Sequence, residues 1–94
     1  MIYIQYLVRP TALNDRFGSV GGAFSSCYIN VVDVARAEAI AASIITTNHW
    51  QIVHREELRT LDRSECTGEY ALQALTDDEV IVFHTWPIDD EDDE

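Results

Sequence analysis

The chain has 94 residues, which allows one small domain and leaves too little sequence for a second. Hydrophobic residues make up 47% of it and aromatic residues 10%, so the composition predicts a packed core and excludes a wholly disordered chain. Seventeen acidic and six basic side chains give a net charge of -11. This balance excludes direct binding to nucleic-acid backbones or to anionic membranes, because phosphates repel an acidic surface.

Three observations predict a soluble protein of the cytoplasm. No apolar run approaches the roughly 20 residues that a membrane span needs. Residues 1–10 have no basic region ahead of an apolar stretch, so they do not resemble a signal peptide. The two cysteines, Cys27 and Cys66, lack the spacing of a disulfide framework, which is typical of a reducing compartment.

The negative charge is concentrated at the C-terminus. Residues 89–94 are all acidic and carry -6 of the net charge, which leaves -5 on residues 1–88. Adjacent carboxylates repel one another and bury no apolar area, so we expect a flexible acidic tail after a single domain of residues 1–88. Two roles for the tail stay open: it increases solubility, or it imitates nucleic-acid phosphates toward a basic protein surface.

Two strands and a long loop are predicted in the first third of the chain. Apolar and aromatic side chains fill both faces of Ile2–Val8, a pattern typical of a strand inside a sheet. The connection that follows, residues 10–22, is longer than an ordinary hairpin loop and contains three glycines. Ala23–Val32 alternates again and is predicted as the second strand.

A helix is predicted next. Asp33 is a suitable N-cap for a helix over Val34–Thr47, and we expect Asn48 to end it in the left-handed conformation. Apolar residues recur at helical spacing and form the predicted core-facing stripe, namely Ala37, Ile40, Ala41, Ile44 and Ile45.

The last third of the chain predicts two more strands and a second helix. Trp50–Arg59 alternates as a third strand with one solvated face. Glu56 interrupts the apolar series, which suggests either a bulge or a strand that runs past the covered area of the sheet. Asp62 and Glu65 have the spacing of a capping box, which predicts the start of a short helix. Glu79–Trp86 is apolar on both faces at its centre, so we expect a central fourth strand.

These elements together predict an α+β fold. It has a single four-stranded sheet with two helices on one face, in the chain order ββαβαβ. The sequence alone leaves the order of the strands across the sheet open.

The reactive side chains form no catalytic or cofactor-binding pattern, so we predict neither a cofactor nor a metal. His49, His54 and His84 share no helical turn and no ligand spacing with the cysteines, although His54 and His84 would meet if the third and fourth strands paired. The glycines at 18–22 precede a strand, whereas a phosphate-binding loop leads into a helix.

Two surfaces are the candidates for binding. The long loop and its flank carry Arg9, Arg16 and Phe17, and an extended loop on a sheet is a common place for recognition residues. The outer face of the predicted first helix carries small residues where charged ones are expected, namely Ala35, Ala39 and Ser43. Small side chains allow close approach of a partner protein or of a second copy.

The prediction of function follows from these two surfaces and from the charge. We expect a non-enzymatic protein-interaction or regulatory module, working on a partner protein or through self-association as a homodimer. Its specific form is an inhibitor of a basic nucleic-acid-binding protein. The alternative is a small-ligand binding domain or an enzyme with a pocket between the sheet and the loop of residues 10–22, and its candidate lining is Tyr3, Tyr6, Tyr28, His54 and His84.

Overall fold

A computed structural model describes residues 1–88, and the predicted acidic tail of residues 89–94 lies outside them. The elements in chain order are β1 (Ile2–Pro10), β2 (Val20–Ile29), α1 (Val34–Thr47), β3 (Trp50–Thr60), a 3₁₀ turn (Arg63–Glu65), α2 (Glu69–Asp77) and β4 (Glu79–Pro87). This order confirms the predicted ββαβαβ arrangement, with a 3₁₀ turn added before α2. Neither helix of residues 1–88 is long and apolar enough to cross a membrane.

The four strands form one antiparallel sheet in the order β3-β1-β2-β4. The α+β fold and the internal position of β1 are therefore confirmed. The prediction of a central fourth strand is wrong, because β4 lies at an edge. Apolar side chains on both faces of a strand report what lies above and below it, and they carry no information about neighbours within the sheet.

The two helices lie on opposite faces of the sheet, so the prediction that both pack on one face is also wrong. Ile4 and Ala41 belong to the main core under α1. Tyr3, which faces the other way, clusters with Ala71 of α2, and Tyr28 packs against this second cluster. Because β1 is apolar on both faces, each face is covered by a helix.

Helix α1 begins as predicted and ends differently. The Asp33 carboxylate accepts hydrogen bonds from two backbone amides of the first turn. Asn48 has a φ of −91°, and the left-handed residue is His49, with a φ of 66°. Asn48 instead donates from its side-chain amide to the Ile44 carbonyl at 2.8 Å, which satisfies a free carbonyl of the last turn.

The capping box forms but does not open α2. The Glu65 carboxylate accepts from the Asp62 amide at 2.7 Å, and the result is the short 3₁₀ turn. Gly68 is extended, with a φ of −77° and a ψ of 163°, and α2 starts only after it. The sequence therefore marks a local turn correctly and places the helix several residues too early.

Candidate functional site

The outer edge of β3 is irregular and charged. Its pairing with β1 shifts register twice, once where Glu56 is the additional residue and once where Val53 is. The sequence left two alternatives open at Glu56, and the structure shows the bulge; the bulge at Val53 was not predicted. Arg55 forms a salt bridge to Glu38 of α1, which ties the middle of this edge to the helix. Bulges and charges of this kind discourage the addition of another strand.

The outer edge of β4 is regular and apolar. Its pairing with β2 is unbroken from Ile29↔Glu79 to Gly22↔Trp86. Residues 80–83 are apolar and only half-buried, and no Asp, Glu, Lys or Arg lies between Glu79 and Pro87. Within residues 1–88 no strand lies on its outer side. Every second residue of such an edge directs its N–H and C=O outward, where another strand can pair with them.

A cleft of about 650 Å³ runs beside β4 on the face that α1 covers. One wall is the strand itself, and the opposite wall combines the end of α1 with the long loop. The lining residues are Asn14, Asp15, Arg16, Thr47, Asn48, His49, Trp50, Ile81, Val82 and Phe83. The cleft therefore joins an open strand edge to polar groups that converge on it.

Two aromatic rings form the apolar part of the cleft. Trp50 begins β3 and Phe83 lies in β4, yet their ring centroids are 5.0 Å apart and the rings are nearly parallel, at 13°. They meet on the α1 face of the sheet, where β2 presents the small residues Ala23 and Ser25. Small side chains at these positions leave room for the two rings to stack across the middle strands.

The polar wall of the cleft is held by hydrogen bonds to one carbonyl. The His49 carbonyl accepts from the Thr11 amide at 3.0 Å, from the Thr11 hydroxyl at 3.1 Å and from the Asn14 side chain at 3.1 Å. His49 has the positive φ noted above, a conformation that costs a non-glycine residue about 1 kcal/mol or more. The three hydrogen bonds offset this cost and fix the loop against the end of α1.

The face of the sheet that α2 covers only in part exposes an aromatic pair. Phe24 and Trp86 have ring centroids 5.3 Å apart, and more than a third of each side chain is exposed. The Trp86 ring lies against Gly22, where an added Cβ would be 2.6 Å from Cζ2 of the ring. This close approach explains Gly22, which the sequence presents only as one of three loop glycines.

The candidate loop residues separate between two sites. Arg9 and Phe17 line a second hollow of about 320 Å³ together with Ile88. Arg16 instead lines the cleft beside β4. The loop that the sequence singles out contributes Asn14, Asp15 and Arg16 to the cleft. The sequence misses the aromatic and β4 residues because their proximity depends on strand order.

The candidate helix residues lie apart from both hollows. Ala35, Ala39 and Ser43 are exposed on α1, and none of them lines either hollow. The structure does not bring them together with the loop residues. A role for this face in self-association stays a prediction.

The reactive side chains are dispersed or buried. His54 and His84 lie on opposite edge strands, so the third and fourth strands do not bring them together. No three His, Cys, Asp or Glu side chains among residues 1–88 are placed to hold a metal ion. Burial raises the pKa of the Cys27 thiol from 9.0 to about 11, which suppresses the reactive thiolate at neutral pH.

The chain was compared with protein-family models, with curated proteins and with solved structures. None of the three comparisons found a match.

Proposed function

We propose that this protein is a non-enzymatic interaction module that binds an extended segment of a partner protein along β4. The observation that carries the proposal is the contrast between its edges: β4 is regular, apolar and open, whereas β3 is bulged and charged. In binding by strand addition, main-chain hydrogen bonds supply affinity and neighbouring pockets supply specificity. The cleft beside β4 is well placed to receive alternate side chains of the added segment.

Binding of a partner strand also explains why β4 lacks the residues that usually protect an edge strand. An edge strand that stays unpaired in solution is commonly protected by lysines, bulges or prolines, and β4 has none of these before Pro87. A strand that is covered during function needs no such protection. The half-buried residues 80–83 are therefore the part of the surface that a partner strand covers in this proposal.

The test is selection of displayed peptides followed by mapping of the contact. A random library of twelve-residue peptides is selected on the full chain, and an enriched peptide is titrated against the ¹⁵N-labelled protein. We expect the amide resonances of residues 80–85 to shift and their hydrogen exchange to slow. Absence of any enriched sequence, or contact confined to β3 or the helices, contradicts the proposal.

A matched pair of variants strengthens this test. Val82→Lys places a charge on the β4 edge, and Val53→Lys makes the same change on the β3 edge, where Val53 is already 46% exposed. We expect the first variant to weaken binding of the selected peptide at least tenfold and the second to leave it unchanged. Circular dichroism checks that both variants are folded.

A second candidate is small-ligand binding in the same cleft. Its volume of about 650 Å³ is in the range of ligand sites, and Trp50 and Phe83 provide an aromatic floor beside Asn14 and Arg16. A fragment screen by NMR separates the candidates. A small ligand bound here shifts the Trp50 indole signal without slowing hydrogen exchange at the outward-pointing amides of β4, whereas strand addition slows that exchange.

A further inference from the structure

We propose that the segment added to β4 places a tyrosine opposite Phe83. The tyrosine ring packs on the part of the Phe83 ring that Trp50 leaves uncovered, and its hydroxyl meets the polar wall of the cleft. This inference rests on strand addition at β4 and names the side chain that sets the register and specificity of the bound segment. Its basis is the direction of the Phe83 backbone groups, the stack of its ring on Trp50 and the charges of the cleft.

The backbone of Phe83 points away from β2. The Asn30 amide donates to the Asp78 carbonyl at 2.7 Å, one position beyond the pair Ile29↔Glu79. Inward and outward groups alternate along an antiparallel strand, so the residues an even number of positions after Asp78 bond to β2. The N–H and C=O of Phe83 are therefore directed outward. In an antiparallel partner strand, one residue pairs with both of them.

The side chain of Phe83 keeps part of its ring open beside this edge. Phe83 lies opposite Ser25 of β2 and packs against the main core, which places its side chain on the α1 face. Trp50, from the opposite edge strand, is buried and stacks on the ring with a centroid distance of 5.0 Å. The Phe83 side chain is nevertheless only half-buried and lines the cleft. The uncovered part of its ring therefore faces the cleft.

An aromatic side chain suits the position opposite Phe83. Directly paired residues of an antiparallel pair have Cβ atoms about 4.5–5.5 Å apart, so the partner side chain reaches the open part of this ring. Aromatic pairs gain energy beyond the apolar area that they bury, which an aliphatic side chain does not. A ring at this position extends the stack of Trp50 and Phe83 to three rings.

The charges of the cleft favour a neutral polar group at the tip of that ring. Asp15 and Arg16 are exposed and line the cleft, and neither takes part in the salt bridges found within residues 1–88. Because they are adjacent, a charged side chain is attracted by one of them and repelled by the other. A phenol hydroxyl both donates and accepts, so it complements the carboxylate and the guanidinium alike. Tyrosine combines this hydroxyl with the ring.

The experiment varies one position of the peptide selected on the full chain. Nuclear Overhauser contacts between backbone amide protons identify the peptide residue that pairs with Phe83, and this residue is made tyrosine, phenylalanine, leucine, lysine or glutamate. We expect tyrosine to bind about threefold more tightly than phenylalanine and about tenfold more tightly than leucine. Lysine and glutamate are expected to bind most weakly, because neither stacks on the ring and each is repelled by one of the two cleft charges.

Matched variants locate these preferences on the protein. Phe83→Leu keeps an apolar side chain and removes the ring, so the preference for phenylalanine over leucine in the peptide should disappear. The double variant Asp15→Ala, Arg16→Ala should remove the preference for tyrosine over phenylalanine. Phe17→Leu and Arg9→Ala are the controls, because both residues line the second hollow, and they should leave the two preferences unchanged. Circular dichroism checks that every variant is folded.

Equal affinities of the tyrosine, phenylalanine and leucine peptides, each mapped to β4, overturn the inference and leave strand addition intact. The same holds if the preferences persist in the folded Phe83→Leu variant. Failure of every peptide to contact β4 contradicts strand addition itself. A dimer in sedimentation equilibrium whose β4 amides are protected without peptide shows that a second copy is the occupant, which also overturns the inference.

Discussion

The two edge strands of the sheet differ in how their unpaired backbone groups are protected from pairing with another strand. At β3, two register shifts, an arginine tied to Glu38 of α1 and a further pair between Arg59 and Glu57 protect the exposed backbone. At β4 the pairing with β2 is unbroken from Glu79 to Trp86, with one register shift at the far end, between Val20 and Gly22, and the middle of the strand is uncharged. The fold therefore protects one of its edge strands in the usual way and leaves the other without that protection. The unprotected edge adjoins the larger cleft.

A buried charge should destabilise the fold far more in the central strand β1 than in the edge strand β4. Ile4→Asp puts a carboxylate where the side chain is fully buried, at a cost of several kcal/mol, so we expect loss of folding. Phe83→Asp makes the same kind of change at a half-exposed residue of the edge strand β4. It should leave a folded protein with a lower melting temperature, measured by circular dichroism. Failure of both variants to fold contradicts the half-exposed position of the Phe83 side chain.

A second variant tests the packing of the β4 residue Trp86 against Gly22 of β2. In Gly22→Ala, the added Cβ lies 2.6 Å from the Trp86 ring and 3.1 Å from the Val8 carbonyl oxygen. We expect the ring to be displaced and unfolding free energy to fall by about 1–3 kcal/mol, as in other overpacked sites. Tryptophan fluorescence and chemical denaturation measure the two changes.

The control for this variant is Gly68→Ala, where an added Cβ meets no atom within 4 Å and φ is −77°. We expect it to leave tryptophan fluorescence unchanged, with only the small stability loss of a weaker N-cap. If Gly22→Ala behaves like this control, the packing of Trp86 on β2 is not what holds this end of β4.

A third effect reports on the seam between β2 and β4. Cys27 faces Ile4 on one side and Ile81 on the other. Its thiol ionises near 9.0 in the unfolded chain, whereas desolvation by burial raises its pKa to about 11 in the fold. As the pH rises, the thiol therefore ionises in the unfolded chain before it ionises in the folded protein, which favours the unfolded chain. Stability present below pH 9 is lost between pH 9 and 11, by up to about 2–3 kcal/mol.

The measurement is chemical denaturation as a function of pH, with Cys27→Ala as the control. Burial also raises the pKa values of Tyr6 and Tyr28 above 10.0, so the variant should keep a weaker loss of stability that begins near pH 10. A parent protein with no more pH dependence than the variant means that water reaches the thiol, and that β4 is not packed closely on β2.

The smallest expected effect concerns the exposed face of α1. If self-association uses the surface around Ala35, Ala39 and Ser43, Ala39→Glu shifts the protein toward monomer in sedimentation experiments. If β4 is the binding surface, this variant changes neither sedimentation nor peptide affinity. If the folded Ala39→Glu variant no longer binds the peptide, the binding surface lies on α1 and not on β4.

Local patterns predicted the elements, and contacts distant in sequence explain the rest. The N-cap at Asp33, the bulge at Glu56 and the capping box at Asp62 and Glu65 depend on neighbouring residues, and the structure contains all three. The edge position of β4 depends on which strand pairs with which, and periodicity within one strand carries no such information. The placement of α2 on the opposite face likewise depends on Tyr3 having an apolar partner there.

The candidate site also combines residues that local patterns identify with residues that only distant contacts bring together. Arg16 could be selected because a long loop is visible in the sequence. Trp50 and Phe83 lie in strands that are separated by two others in the sheet, and only the fold shows that their rings stack.

Hydrogen exchange along β3 and β4 measures directly whether the β4 edge is open and accepts a partner strand. In the free protein, we expect alternate amides of residues 80–85 to exchange rapidly, because their N–H groups point away from β2. Addition of the selected peptide should slow those amides and leave the exposed amides of residues 51–59 unchanged. Slow exchange throughout β4 in the free monomer, or peptide protection confined to β3, contradicts an open β4 edge that accepts a partner strand.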